Sequence, residues 1–330
     1  MVASEVSTSS TASGGRDGLS HRVVFAVLGV SLALAFALAV YVYQRYVRYE
    51  PRVVEHMPAD YSVALHLDVE QAVVYEPFRQ HLLGLLEAHR PPDPEGGRKN
   101  LPRLEVLQVE TTIELGVDLR ELGIAVDRNG AWLLLLGGHF RQDGVAAGVA
   151  RMLREEGVRA ELRLAPERVV HDSGVAFAAT GDGVLVLAQT EQGLLQALQP
   201  RASHPTFDPR AALSMRLGEE GSGLLDGAVL NVMPGQTFQA EVLFPSAPPE
   251  LEDAALAQVL AGNTGDFKLL AEAKGWQFER AGGVRRAHTV LSREDFDRLV
   301  QDVASGLARL MGLELPDDAA RVPRLAPAQP

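Results

Sequence analysis

From residue 61 onward, apolar and polar positions alternate in short runs separated by turn residues. In "YSVALHLD" (61–68), Tyr61, Val63, Leu65 and Leu67 fall on one side. Ser62, Ala64, His66 and Asp68 fall on the other, the period of a half-buried strand. Phe78, Leu82, Leu85 and Leu86 then recur at three- and four-residue spacing behind Pro77, which predicts a helix with proline at its first position. "PPDPEGGRKNLP" (91–102) is a loop by its turn residues, and a short helix is expected near 103–113. "LRELGIAVDRNGAWLLLLGGHF" predicts a hairpin turning at Arg128, Asn129 and Gly130. A helix closed by Gly157 follows. Strands are then expected in "VRAELRL", "ERVVHD", "GVAFAAT" and "GVLVLAQT", the last two joined at Gly181, Asp182 and Gly183. "EQGLLQAL" closes this half as a short helix.

The same succession returns in the second half. "AALSMRL" (211–217) stands where "YSVALHL" stood, and "GAVLNVMPGQTFQAEVLFP" stands where the first hairpin stood. "PELEDAALAQVLAG" takes the place of the helix after it, and "GWQFERAGGVRRAHTVL" mirrors the hairpin turning at Gly183. A closing helix from Ser292 places Phe296, Leu299, Val300, Val303, Leu307, Leu310 and Met311 on one face, and Asp295 three residues after Ser292 is a capping pattern. The pattern predicts an α+β chain of antiparallel sheets with helices on one face. It reads as two tandem similar β/α units with ferredoxin-like elements, 58–200 and 201–313.

Ahead of these units, "VVFAVLGVSLALAFALAVYVYQ" (23–44) carries no charge between Arg22 and Arg45. As a helix it spans about 33 Å, enough to cross a hydrocarbon core of about 30 Å. Tyr41, Tyr43, Tyr46 and Tyr49 gather at its end, where amphipathic rings favour the membrane boundary. Ala37, Leu38 and Ala39 fit the small-x-small pattern of a cleavage site, but the apolar run continues to Tyr43, which favours an uncleaved transmembrane helix. Arg16 and Arg22 precede the span and Arg45, Arg48 and Arg52 follow it, a count that slightly favours a cytoplasmic C-terminal side. A first hydrophobic segment nevertheless acts as an export signal, so the expected protein is single-pass in a bacterial inner membrane with a periplasmic C-terminal domain. Residues 1–22 and 314–330 are expected to be disordered tails, and 45–57 a short linker.

"GVDLRELGIAVDRNGAWLLLLGGHF", then "GVAFAATGDGVLVLAQTEQGLLQALQP" and "RASHPTFDPRAALSM", resemble a group of bacterial single-span membrane-anchored proteins catalogued only as a domain of unknown function. In that group the span precedes a proline-aspartate start similar to "HMPADYSVALHLDV" and repeated strand-hairpin-helix units. The resemblance covers about residues 56–220 and departs in the second half, where "MPGQTFQAEVLFP" lacks the double glycine of "LLGGHF". It implies an anchored, exported α+β protein and supplies no catalytic residue.

Composition narrows the partners. The formal net charge is −12, and all of the excess lies beyond the span, because Arg16 and Arg22 before it balance Glu5 and Asp17. Such a surface repels nucleic acid and anionic head groups. There is no cysteine, which excludes a disulfide framework and a lipid-modified thiol. The chain has no phosphate-binding, dinucleotide, HExxH or nucleophile-elbow motif. "GEEGSGLLDG" (218–227) lies between two expected strands and reads as a loop, since a phosphate cradle needs helix N–H groups. His171, Asp172 and Ser173 are adjacent on one strand, point to alternate faces and form no triad alone; a strand end turning at Gly174 is expected. His66 and Asp68 share a face near His81 and His89, but nothing fixes the three or four converging ligands that zinc requires. His139 after Gly137 and Gly138 reads as a rim residue beside a close backbone approach.

These readings assign no catalytic residue, cofactor or metal. The expected function is a non-enzymatic binding or interaction module of the cell envelope, contacting the bilayer through residues 23–44 and taking an envelope protein or a small ligand. The first rival is a structural component of an envelope assembly or secretion platform. Such platforms place a heptad coiled coil after the span, where Pro51 and Pro58 interrupt here. The second rival is an enzyme with an unrecognised site.

Overall fold

The computed structural model describes residues 34–38, 49–72, 74–75, 103–140, 143–218, 223–233, 235, 237–248, 250–262, 275–281 and 283–310. After a 3-10 turn (Val53–His56) come strand β1 (Tyr61–Asp68) and a four-residue helix α1 (Val69–Ala72). Helices α2 (Arg103–Thr111) and α3 (Leu115–Asp118) lead into the hairpin of β2 (Leu119–Asp127) and β3 (Trp132–Gly138). Helix α4 (Val145–Glu155) precedes β4 (Ala160–Leu164), β5 (Glu167–His171), β6 (Ala176–Ala179), β7 (Val184–Ala188) and helix α5 (Glu191–Ala197). Then follow β8 (Leu213–Leu217), the hairpin of β9 (Val229–Met233) and β10 (Phe238–Phe244), and helix α6 (Asp253–Gly262). The hairpin of β11 (Gln277–Ala281) and β12 (Val284–Leu291) and helix α7 (Arg293–Leu310) complete the order.

The fold is α+β. Among the described residues all 12 strands join in one antiparallel sheet, ordered β11-β12-β10-β9-β8-β1-β2-β3-β7-β6-β5-β4. Its centre is the pairing of β1 with β8, in which Leu65 lies opposite Met215, His66 opposite Ser214 and Leu67 opposite Leu213. The hairpins expected at Gly130 and Gly183 form, as do those joining β9 to β10 and β11 to β12.

One face of the sheet is closed by long helices. Leu67, Leu213, Val232, Val242 and Phe244 meet Leu256 and Leu260 of α6 and Phe296, Leu299 and Val300 of α7. Phe296 stacks on Phe238 with ring centroids 3.7 Å apart, and Tyr75 packs edge-on against both. Asp295 N–H donates to Ser292 Oγ at 3.1 Å, so the capping pattern fixes the start of α7. Val145 and Val149 of α4 cover the same face over β5–β7.

The expectation of helices on one face fails at α5. Its Leu194 and Ala197 lie on the opposite face with Leu133, Leu135, Val184 and Val186, joined there by Val53 and Met57 of the entering chain. The reason lies in "WLLLL" and "VLVLA": apolar runs without alternation are buried on both faces and require a second cover. In β8–β10 that face instead carries Ser214, Asn231 and Glu241, in register on adjacent strands, and α7 packs on the other side.

The double glycine ending β3 serves a close approach. A Cβ on Gly138 would lie 2.1 Å from the Asp118 carbonyl oxygen, and His139 N–H donates to that same oxygen. Among the described residues no helix is long and apolar enough to cross a membrane. The expected span 23–44 lies outside them except for the helical residues Leu34–Leu38, as do the helix expected from Pro77 and both expected tails.

Burial ranks the helix positions. Leu256 is fully buried whereas Leu153 is only half-buried. Leu256→Ala is expected to cost about 2–5 kcal/mol in denaturant unfolding, and Leu153→Ala about 1 kcal/mol. Equal costs would contradict this packing.

Candidate functional site

Polar chemistry concentrates where the entering chain crosses the sheet. Glu121 of β2 is 3% exposed, and its carboxylate accepts the backbone N–H of Arg52 at 3.1 Å and of Val53 at 3.0 Å. It thereby caps the turn Val53–His56. Gly123, one position along the same face, makes room for that turn: a Cβ there would lie 2.3 Å from Val53 Cγ1 and 2.5 Å from Met57 Cε.

His56 at the end of the turn is fully buried. Its Nδ1 lies 2.6 Å from the Ala197 carbonyl and its Nε2 3.0 Å from Asp182 Oδ2. Both ring nitrogens thus face acceptors, a carbonyl and a carboxylate. Thr180 Oγ–H donates to Asp182 Oδ1 at 2.5 Å and accepts from Val184 N–H at 2.9 Å. Burial pushes the Asp182 carboxyl up, but hydrogen bonds from Thr180 and His56, together with the electrostatic attraction of His56, outweigh it and hold the group below its ordinary value. The turn, the β6–β7 loop and the end of α5 are locked together by this one histidine.

Beyond the turn, the ends of the central strands enclose a cleft of about 210 Å³ lined by Ala59, Tyr61, Arg128, Ser203, His204, Pro205, Thr206, Arg216 and Gly218. Arg128 is set by the β2–β3 turn, where Asp127 Oδ1 accepts from Asn129 N–H at 2.7 Å and Ala131 N–H at 2.9 Å. Arg216 stands on β8 and donates from Nη1 to the Thr206 carbonyl at 3.3 Å. His204 Nδ1 lies 3.2 Å from the Pro205 carbonyl and carries its proton there. Among the described residues, two cations, two hydroxyl-bearing loop residues and a histidine line the cleft, and no carboxylate does.

A polar row crosses the same sheet face. His66, Ser214, Asn231, Glu241, His288 and Gln277 stand opposite one another on successive strands. Ser214 Oγ–H donates to Asn231 Oδ1 at 2.8 Å, Arg286 pairs with Glu241 at 2.9 Å, and His288 Nε2 lies 3.0 Å from Gln277 Oε1. His66 stacks on Phe207 at 5.5 Å, its Nε2 3.8 Å from Glu121 Oε2.

The residues singled out from sequence are not gathered into one site. The Asp68 carboxylate accepts from Gln71 N–H at 3.0 Å and Gln71 Nε2 at 2.7 Å, so it caps α1. His81 and His89 lie outside the described residues. His171 Nδ1 lies 2.7 Å from Ser173 Oγ in an exposed turn at the end of β5, a local contact without Asp172. Among the described residues no group of three or more His, Cys, Asp or Glu converges as a metal site. Sequence reasoning missed His56, Glu121, Asp182 and Arg216. For Arg216, the signal was its place on the polar side of "LSMRL"; for the others, the partners lie far away along the chain.

No protein-family model and no curated protein matches the chain. A solved structure titled "Structure of crystal form I of TP0453" is similar at a TM-score of 0.46 and 9% identity, covering 79% of this chain and 98% of that one.

The Asp182 carboxyl is depressed on folding, so its contribution is complete above the unfolded value of about 3.9 and is lost as pH falls through the lower folded value. Asp182→Asn, which removes the carboxylate that the buried His56 Nε2 and the Thr180 hydroxyl face, is expected to cost about 2 kcal/mol at pH 7. It should also flatten the acid limb of a stability–pH curve. A wild-type acid limb unchanged by Asp182→Asn would show that the pair carries no stability.

Proposed function

We propose that the chain is a membrane-anchored, extracytoplasmic binding module of the cell envelope, with no chemistry of its own. The observation that carries the binding reading is the cleft at the ends of β1, β2 and β8, where cations and hydroxyls line a small half-open volume. Fixed donors of this kind recognise and orient a ligand. The anchor rests on the uncharged run 23–44 and the tyrosines after it, and the periplasmic placement on that run acting as an export signal. The likeness in sequence to single-span bacterial proteins of unknown function belongs to the same proposal.

We also propose that 58–200 and 201–313 are two similar β/α units. Outward from the central pair the strands run β1-β2-β3-β7-β6 on one side and β8-β9-β10-β12-β11 on the other, which supports the reading. The additional pair β4–β5 and the opposite placement of α5 and α7 are departures from it.

A second reading, a structural component of an envelope assembly, is favoured by the sheet's two edges. Among the described residues, strands β4 and β11 each pair on one side only, and Leu164 on β4 is 77% exposed.

The full-length chain is expected to stay with carbonate-washed membranes. Extracted in detergent, it should respond to a panel of small neutral, cationic and anionic compounds. At least one member should raise its melting midpoint by more than about 2 °C. The cleft-filling variant Ser203→Trp should lose that response. Release from washed membranes would overturn the anchor. Silence across the whole panel would overturn the binding reading in favour of the edge-strand one.

A further inference from the structure

We propose that the cleft beside β8 is a site for a small oxyanion, a carboxylate or phosphate group, held by Arg216 with Arg128 at the rim. This rests on the reading of the cleft as a binding site and names its ligand class. Arg216 is the observation that singles out anions. Several arginines of this acidic chain are neutralised internally, Arg120 by Glu70, Arg151 by Glu110, Arg168 by Glu191 and Arg286 by Glu241. Arg201 shares the shielded, unbonded Nε of Arg216, but only Arg216 of the two lines the cleft. Arg216 is half-buried, and its Nε is shielded from solvent without a hydrogen-bond partner. Its one hydrogen bond goes to a backbone carbonyl, and among the described residues no carboxylate pairs with it.

A shielded guanidinium lacking a counter-charge is costly, and an oxyanion presenting two oxygens to its planar fork removes that cost while making two charge-assisted hydrogen bonds. The rest of the lining suits the same guest. Arg128 adds a second positive charge, Ser203 and Thr206 add hydroxyl donors, and among the described residues no acidic side chain lines the cleft. The chain's net charge of −12 repels anions at long range, so binding must come from this local cluster. The volume of about 210 Å³ holds roughly seven waters at about 30 Å³ each, which limits the guest to a small molecule or to one head group of a larger one.

The test is ligand-dependent melting of the full-length chain in detergent, with inorganic phosphate and succinate as the anionic probes. Glycerol and ethanolamine serve as neutral and cationic probes of similar size. Phosphate or succinate should raise the midpoint with a saturable dose response that weakens as sodium chloride is added. Arg216→Gln should weaken the apparent affinity at least about tenfold, and Arg216→Lys less, since a point charge replaces part of the fork. Arg128→Gln, at an exposed turn position, provides an independent second variant, with an expected loss of about threefold to tenfold. A response to glycerol or ethanolamine alone overturns the oxyanion assignment and leaves the binding reading standing. An anion response unchanged in both Arg216→Gln and Arg128→Gln overturns the assignment to this cleft. Silence to all four probes overturns the oxyanion site, and the binding reading falls with it only if the wider panel is silent too. If phosphate and succinate both bind, competition between them establishes one shared site, and their relative affinity separates a phosphate ligand from a carboxylate one.

Discussion

The antiparallel pairing of β1 with β8 is the interaction on which the structure beyond residue 61 depends. Each is the first strand of its half, and each is already paired on its other side, β1 with β2 and β8 with β9. Without their mutual pairing both halves would present long central strands as open edges, a poor arrangement in water. The register is pinned by side chains. Leu65 and Leu67 face the core shared with Leu213 and Met215, while His66 faces Ser214. A slip of one residue would turn the leucines to the polar face and drive His66 into the core.

That pairing also builds the polar features. Tyr61 and Gly218 lie at one end of the central pair and Arg128 on the adjoining turn, so the cleft exists because β1, β2 and β8 end together. The entering chain is then fastened across the neighbouring strands. Glu121 takes the N–H groups of Arg52 and Val53, and His56 reaches Asp182 and the end of α5. A buried carboxylate and a buried imidazole are tolerable here because each polar atom has a hydrogen-bond partner, though the partners lie far apart along the chain. The cleft therefore opens between two well-fixed elements, the central strands and the segment 203–206 that Arg216 ties to β8.

Much of the fold was legible because it is local. Alternation in "YSVALHLD", the turn residues of "DRNG" and "GDG", and the Ser292–Asp295 cap each specify structure within a few residues. The exception is Tyr61, which a register shift before Val63 turns to the face of Ala64 rather than that of Leu65 and Leu67. The single sheet was not legible, because strand alternation says which face is buried and not which strand lies beside it. Nor was the placement of α5, although the unbroken apolar runs of β3 and β7 contained the reason. Glu121 reads in "LRELGIAVD" as a solvent-facing charge; it is buried because its partners arrive from residues 52 and 53. His56 fell in what the pattern reads as a linker, and Asp182 in what it reads as a turn. Arg216 is one arginine among many in an arginine-rich chain, and its place in the cleft without a paired carboxylate among the described residues sets it apart.

The central claim is that one continuous sheet, joined at β1 and β8, makes the two halves a single cooperative structure. Native-state hydrogen exchange tests it most directly. Backbone amides of Leu65 and Leu67 in β1 and of Leu213 and Met215 in β8 should be among the slowest to exchange. They should open with one common free energy, shared by the inner strands β2 and β9. Protection of β8–β10 lost in a separate opening, well below that of β1–β3, would show that the halves fold independently and contradict the account.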